Sequence, residues 1–215
     1  MGMVRFGIPE KITLELRDLS GGTVFIETGT YQGDTARWAA NHFGKVITME
    51  RSKSLFDEYS EGLANLHNVS ALCGDSRQLL PSILEEIGEE KAIFWLDSHW
   101  FGGETAGQDD QCPLLGELAC LKGRHGDVLL VDDARLFLAA PPMPHDVAQW
   151  PDIGQVIRAL PNEGKELCVQ VADDVIFVTP DIPPINTQLL AYTKRRNNLF
   201  WQEYTRSHRY NTHPQ

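Results

Sequence analysis

Apolar and polar positions along the chain alternate between short unbroken apolar runs and longer amphipathic stretches. Residues 23–28, 45–50, 68–73, 92–96 and 127–131 are runs rich in Val, Ile, Leu and Phe, bounded by Gly, Asp or Ser, and they read as strands covered on both faces. Between them helices are expected over about residues 34–43, stopped at Gly44, and over residues 52–66, where Leu55, Tyr59 and Leu63 recur at i, i+4 and i+8. Two more are expected over residues 77–87 with Ser76 as N-cap, and over residues 113–121 with Pro113 at the first helical position. A helix-bearing lead-in over residues 1–22 closes on Ser20-Gly21-Gly22. After the fifth strand comes a Pro-rich loop, residues 139–151, long enough to read as a lid or binding loop, and then a short helix over residues 153–160. Residues 167–171 and 175–179 form a hairpin about Ala172-Asp173-Asp174. Five strand–helix alternations and a closing hairpin predict an α/β fold, with a mostly parallel sheet between helices and an antiparallel C-terminal pair.

Composition changes this picture little. A chain of 215 residues, 42% hydrophobic and 23% charged, reads as one soluble domain: a lead-in (1–22), a core (23–179) and a polar, basic C-terminal extension (180–215). A formal charge of −11 argues against a nucleic-acid partner. Cys73, Cys112, Cys120 and Cys168 form no C-x-x-C pair, so they read as reduced thiols and no thiolate zinc site is indicated. No run reaches the roughly 18 apolar residues of a membrane span, and the N-terminus has no signal-peptide pattern, so the expected location is cytoplasmic with no membrane partner. The basic segment from Lys194 to Arg209 stands out on an acidic chain and reads as a self-docking or subunit-docking stretch, compatible with a homodimer.

The acids are more informative. Strand after strand ends on one: Glu27, Glu50, Asp97 and the pair Asp132-Asp133, with Asp75 just past the third strand. In an open parallel sheet those ends border the ligand crevice. A single acid after a strand is commonly a turn former or cap. A whole series would repel itself unless hydroxyls, amines or a cation stood between its members. Glu50, some twenty residues after a glycine turn, is placed to accept both hydroxyls of a ribose. The turn itself reads Glu27-x-Gly29-x-Tyr31-x-Gly33 rather than G-x-G-x-x-G. An acid at its mouth disfavours a pyrophosphate and suits a ligand with an ammonium group, which argues against a nicotinamide-dependent oxidoreductase.

The stretch from Glu27 through Gly29, Tyr31 and Gly33 to Thr35 resembles the first motif of class I S-adenosylmethionine-dependent methyltransferases, nearest to the catechol O-methyltransferase-like group. Val46-Ile47-Thr48-Met49-Glu50 resembles that group's second motif, and Gly74-Asp75-Ser76 its adenine-side motif. The segments around Asp97 and around Asp132-Asp133 resemble those following its fourth and fifth strands. The resemblance covers about residues 23–179. It implies a Rossmann-like, seven-stranded sheet, and S-adenosylmethionine bound by Glu27, Gly29, Tyr31, Gly33, Thr35, Glu50, Asp75, Ser76 and Asp97. It also implies Mg²⁺ or another divalent cation on Asp97, Asp132 and Asp133. Members that methylate catechols carry a lysine three residues after the first metal acid; Trp100 stands there, so the base must differ, and sugar or natural-product O-methyltransferases are the nearer resemblance.

The expected activity is metal-assisted methylation of a small-molecule hydroxyl on a sugar, phenol or other natural product. The alternative is a protein that binds the cofactor without turnover. His99, two residues beyond Asp97, is the first candidate for the base, and His145 in the Pro-rich loop the second. Glu104, Asp109 and Asp110 read as a solvated acidic face. Trp38, Trp95, Trp100, Phe101 and Phe137 read as core, with Trp100 and Phe101 also placed to wall a bound ring.

Overall fold

The computed structural model describes residues 7–102 and 105–207. Glu104 and the end of the basic segment beyond Ser207 lie outside the described residues.

Apolar alternation builds the centre of the molecule. In β1 (Val24–Thr28), Val24 and Ile26 face one side of the sheet and Phe25 the other, all fully buried, as a period of two requires. β2 (Lys45–Glu50) and β3 (Val69–Cys73) lie on one side of β1, and β4 (Ala92–Leu96) and β5 (Val128–Val131) on the other, all parallel. β6 (Leu167–Ala172) and β7 (Val175–Pro180) form the hairpin, and β7 pairs antiparallel with β5. The strand order is β3-β2-β1-β4-β5-β7-β6. The chain winds outward from β1 and returns to β4 on its other side, so a topological switch point lies between these two strands.

Two apolar layers cover the sheet. One packs Val24 and Ile26 against Leu80 and Ile83 of α4 (Ser76–Ile87), Leu114 and Leu118 of α5 (Leu114–Cys120) and Val156 of α7 (Ile153–Ala159). The other packs Phe25 and Val46 against Ile12 and Leu16 of α1 (Glu10–Ser20), Ala36 of α2 (Asp34–Ala40) and Ile185 and Leu189 of α8 (Pro183–Ser207). α3 (Lys53–Ala64) buries Leu55 and Leu63 of the predicted face.

The expected α/β architecture is observed, with differences at element ends. α2 stops at Ala40, three residues short of expectation. Asp75, not Ser76, caps α4: its Oδ1 accepts from Arg77 N at 3.0 Å, and Ser76 is the first helical residue. A carboxylate at this position is as good a cap as a hydroxyl. A short helix, α6 (Arg135–Leu138), precedes the Pro-rich loop. The polar extension after residue 180 is instead a 25-residue helix, begun by Pro183 and Pro184 and held by Ile185, Leu189 and Tyr192 at i, i+4 and i+7.

Candidate active site

The acids that close the strands meet in one cleft of about 880 Å³ at the carboxyl edge of the sheet. Glu27, Gly29, Tyr31, Thr35, Glu50, Asp75, Ser76, Asp97, His99, Asp132 and Asp133 all border it. Gly33 does not: at φ 78° it caps α2, and a Cβ there would meet Leu63 at 3.1 Å. Phe101 borders the cleft and is exposed, whereas Trp100 is buried behind it. Trp95 and Phe137 are core.

Gly29 is what lets β1 and β4 end side by side. Its φ is 90°, and a Cβ would stand 2.3 Å from the Asp97 carbonyl oxygen, so no larger residue fits. Thr28 O accepts from Asp97 N at 3.0 Å, which ties the two strand ends together.

Glu27 is buried at 1% exposure and accepts from Thr48 Oγ1 at 2.6 Å. Burial pushes its pKa up to about 8, against the opposing hydrogen bonds from Thr48 and Thr35. Glu27 is therefore largely protonated at pH 7. Glu50 accepts from Tyr31 N at 3.0 Å and from Ser52 N at 2.7 Å, which fixes its carboxylate at the cleft edge. Tyr31 takes φ 47° to present that N–H. Asp75 accepts from Arg77 Nε at 2.9 Å and Nη2 at 2.6 Å, and these hydrogen bonds lower its pKa.

The far end of the cleft holds three carboxylates around one imidazole. His99 Nε2 is 2.6 Å from Asp133 Oδ2 and 3.7 Å from Asp97 Oδ1. Burial opposes protonation of His99, but the hydrogen bond to Asp133 and the charge of Asp97 outweigh it and raise its pKa to about 9. Asp133 is likewise opposed by burial, yet His99 and Arg135 bring it down to about 2. Burial and then the charge of Asp133 push Asp132 up to about 7, and burial and then the charge of Asp132 raise Asp97. Asp133 holds φ 55°, a strained conformation of the kind found at functional sites.

Among the described residues no group of three or more His, Cys, Asp and Glu side chains is arranged to hold a metal ion. Asp133 is committed elsewhere, one oxygen to His99 and the other to Arg135 Nη1 at 2.5 Å. Asp97 and Asp132 face the cleft with raised pKa values, chiefly through burial, and they are oxygen donors of the type hard cations take. His145 does not border the cleft; it packs edge-on against Trp100 and Trp150, with its pKa lowered chiefly by burial. The Pro-rich loop is pinned there: Gln111 Oε1 accepts from Asp146 N at 2.9 Å and Trp150 Nε1 at 3.0 Å.

Several residues of the site carried no local signal in the sequence. Glu117 of α5 is buried beneath the strand ends, where its Oε1 accepts from Ser76 Oγ at 2.5 Å and Ser98 Oγ at 2.6 Å. Asp110 does not join a solvated face; Arg51 Nη1 reaches it at 3.0 Å and Arg77 pairs with it as well. Arg135 and Asp174 complete the surroundings of Asp133.

No family model matches the chain, and no curated protein matches it. Solved structures do. The O-methyltransferase TomG of Streptomyces achromogenes, involved in tomaymycin synthesis and solved with S-adenosylmethionine, aligns with a TM-score of 0.51 at 20% identity, over 81% of this chain and 80% of its own. A Klebsiella pneumoniae protein provisionally assigned as an O-methyltransferase aligns with a TM-score of 0.50 at 19% identity, over 82% of each chain. The seven-stranded arrangement is therefore one that O-methyltransferases share.

Proposed function

We propose that this chain is an S-adenosylmethionine-dependent O-methyltransferase that methylates a hydroxyl of a small molecule such as a sugar, a phenol or another natural product. The observation that carries this reading is that a single cleft joins three features: the buried acid Glu27, the fixed acid Glu50, and an imidazole among three carboxylates. Glu27 would pair with the ammonium of the cofactor's amino-acid part. Glu50 has its position set by two backbone N–H groups and would accept the ribose hydroxyls. Asp75 and Ser76 would border the adenine. The fold shared with an O-methyltransferase solved with its cofactor supports the same reading.

The acceptor hydroxyl would lie near His99. Its oxygen attacks the methyl carbon, the C–O bond forms as the C–S bond breaks, and S-adenosylhomocysteine leaves. The proton of the hydroxyl would pass to Nδ1 of a His99 that has first lost its own, because Nε2 carries the hydrogen shared with Asp133 and the raised pKa of about 9 keeps the imidazole protonated at neutral pH. Asp133, 2.6 Å from Nε2, stabilises the imidazolium that results. Most of the rate advantage in such a transfer comes from holding the two substrates in line. A non-catalytic binder would have use for Glu27 and Glu50 but none for the imidazole and its carboxylates.

The donor chemistry of Asp97 and Asp132 fits a divalent cation such as Mg²⁺; Asp133, with one oxygen on His99 and the other on Arg135, is not free to be a third ligand while it serves the imidazole. When bound, such an ion would lower the pKa of the acceptor hydroxyl and orient it.

Calorimetric titration with S-adenosylhomocysteine, followed by transfer of labelled methyl to a panel of sugars, catechols and polyphenols, tests the proposal. Absence of S-adenosylhomocysteine binding would sink it. Binding without transfer to any of the panel would favour the accessory-protein alternative.

A further inference from the structure

The turn between β6 and β7 has only two residues, since Ala172 pairs with Val175, and both are left-handed: Asp173 at φ 51° and Asp174 at φ 65°. Turns of this kind favour Asn-Gly, because a side chain at positive φ is strained. Here both positions are aspartates, and both are buried, at 4% and 7% exposure. A buried carboxylate adds a desolvation cost to the backbone cost, so each needs a specific partner. The two find partners on opposite sides. Asp173 accepts from Tyr192 Oη at 2.5 Å and Arg196 Nε at 2.8 Å, both on α8.

Asp174 turns toward the cleft. Its Oδ1 accepts from Arg135 N at 2.9 Å, its Oδ2 is ion-paired with Arg135 Nη1, and its backbone carbonyl accepts from Ala134 N at 2.7 Å. The same Nη1 donates to Asp133 Oδ1 at 2.5 Å, and Asp133 Oδ2 is 2.6 Å from His99 Nε2. Charged contacts thus run unbroken from the hairpin turn to the imidazole. Asp174 grips Arg135 at both its backbone and its guanidinium. Without that grip, a long side chain that is still 30% exposed would be free to turn toward solvent.

We propose that Asp174 is a positioning residue, holding Arg135 against Asp133 and thereby fixing the carboxylate that orients His99 in the cleft. The catalytic meaning of this arrangement rests on the methyl-transfer reading; the arrangement itself does not.

The test is Asp174→Asn. Asparagine adopts the left-handed conformation readily and its Oδ1 still accepts from Arg135 N, so the turn persists while the ion pair is lost. The readout is the downfield proton resonance of the His99 Nε2–H, assigned by its disappearance in His99→Gln. In Asp174→Asn its exchange with water is expected to quicken by about tenfold or more, as local opening becomes easier. Asp173→Asn, in the same turn but paired with α8, is expected to lower the melting temperature and leave that resonance unchanged. Arg135→Lys keeps the charge but cannot span both carboxylates, and it carries the same criterion should Asp174→Asn not fold. Exchange within about twofold of the unaltered protein in the folded variant, or an equal effect in Asp173→Asn, overturns the proposal. S-adenosylhomocysteine affinity is measured alongside. Failure of the unaltered protein to bind it would remove the methyl-transfer reading and leave the resonance test standing.

Discussion

Binding of S-adenosylhomocysteine should release close to one proton at neutral pH, with Glu27 as the source. Burial pushes its pKa up to about 8. At pH 7 roughly one molecule in eleven has the carboxyl ionised. An ammonium group beside Glu27 favours the carboxylate, so the bound form returns toward the ordinary carboxylate range. The sign follows directly. Below about pH 8 the ligand must displace the Glu27 proton, so affinity rises as pH rises, and above it the dependence on Glu27 levels off. From pH 6 to pH 7 the dissociation constant should fall about tenfold, equivalent to about 1.4 kcal/mol. The same raised pKa acts on stability: with respect to this group stability is fully present below the unfolded pKa and is lost as pH rises from there through about 8.

Calorimetry in buffers of different ionisation enthalpy measures the proton count, and the same titrations at pH 6, 7 and 8 give the slope. Glu27→Gln keeps an acceptor for Thr48 but has no proton to release, so it should show weaker binding at pH 8 and no slope assigned to this site. A flat dissociation constant between pH 6 and pH 8 in the unaltered protein, or an unchanged slope in Glu27→Gln, would refute the argument.

Three other outcomes follow from particular contacts. Gly29→Ala places a Cβ 2.3 Å from the Asp97 carbonyl oxygen at a φ of 90°, and should cost about 3 kcal/mol in urea denaturation and abolish S-adenosylhomocysteine binding. Asp127→Ala removes the partner of Arg124 Nε at 2.6 Å and of Ala92 N at 3.0 Å, far from the cleft; roughly 3 kcal/mol of stability should be lost with cofactor affinity unchanged. Mg²⁺ should raise the melting temperature, the shift growing with the logarithm of its concentration above the dissociation constant, and Asp132→Ala should erase that shift; an equal shift in both proteins would remove Asp132 as a ligand.

The sheet was legible because its signals are local. β2 and β4 run over residues 45–50 and 92–96 as the apolar runs predict, and each delivers its terminal acid to the cleft. Gly29 was legible as a turn, though its reason, the approach of Asp97, is a contact across 68 residues of sequence. α8 was missed because its apolar face is three residues in an otherwise polar stretch, and its burial depends on α1 and the hairpin rather than on its own composition. The surroundings of Asp133 were illegible for a stronger version of the same reason. His99, Arg135 and Asp174 come from three separate connections, and no spacing rule relates them.

Charge accounts for which acids matter. The sequence predicts a series of carboxylates that must repel unless something intervenes, and the fold answers part of that with its own cations. Arg77 and Arg51 neutralise Asp75 and Asp110, and His99 and Arg135 neutralise Asp133, so all three acids have lowered pKa values. Glu27, Asp97 and Asp132 are left with theirs raised. A protein that needed only a stable fold would gain by replacing such acids with neutral residues of similar shape. All three border the same cleft, which makes them the positions where charge from outside the chain is most favourable. On the proposed reading they receive an ammonium at one end and a divalent cation with the acceptor's oxygen at the other, and the methyl group lies between.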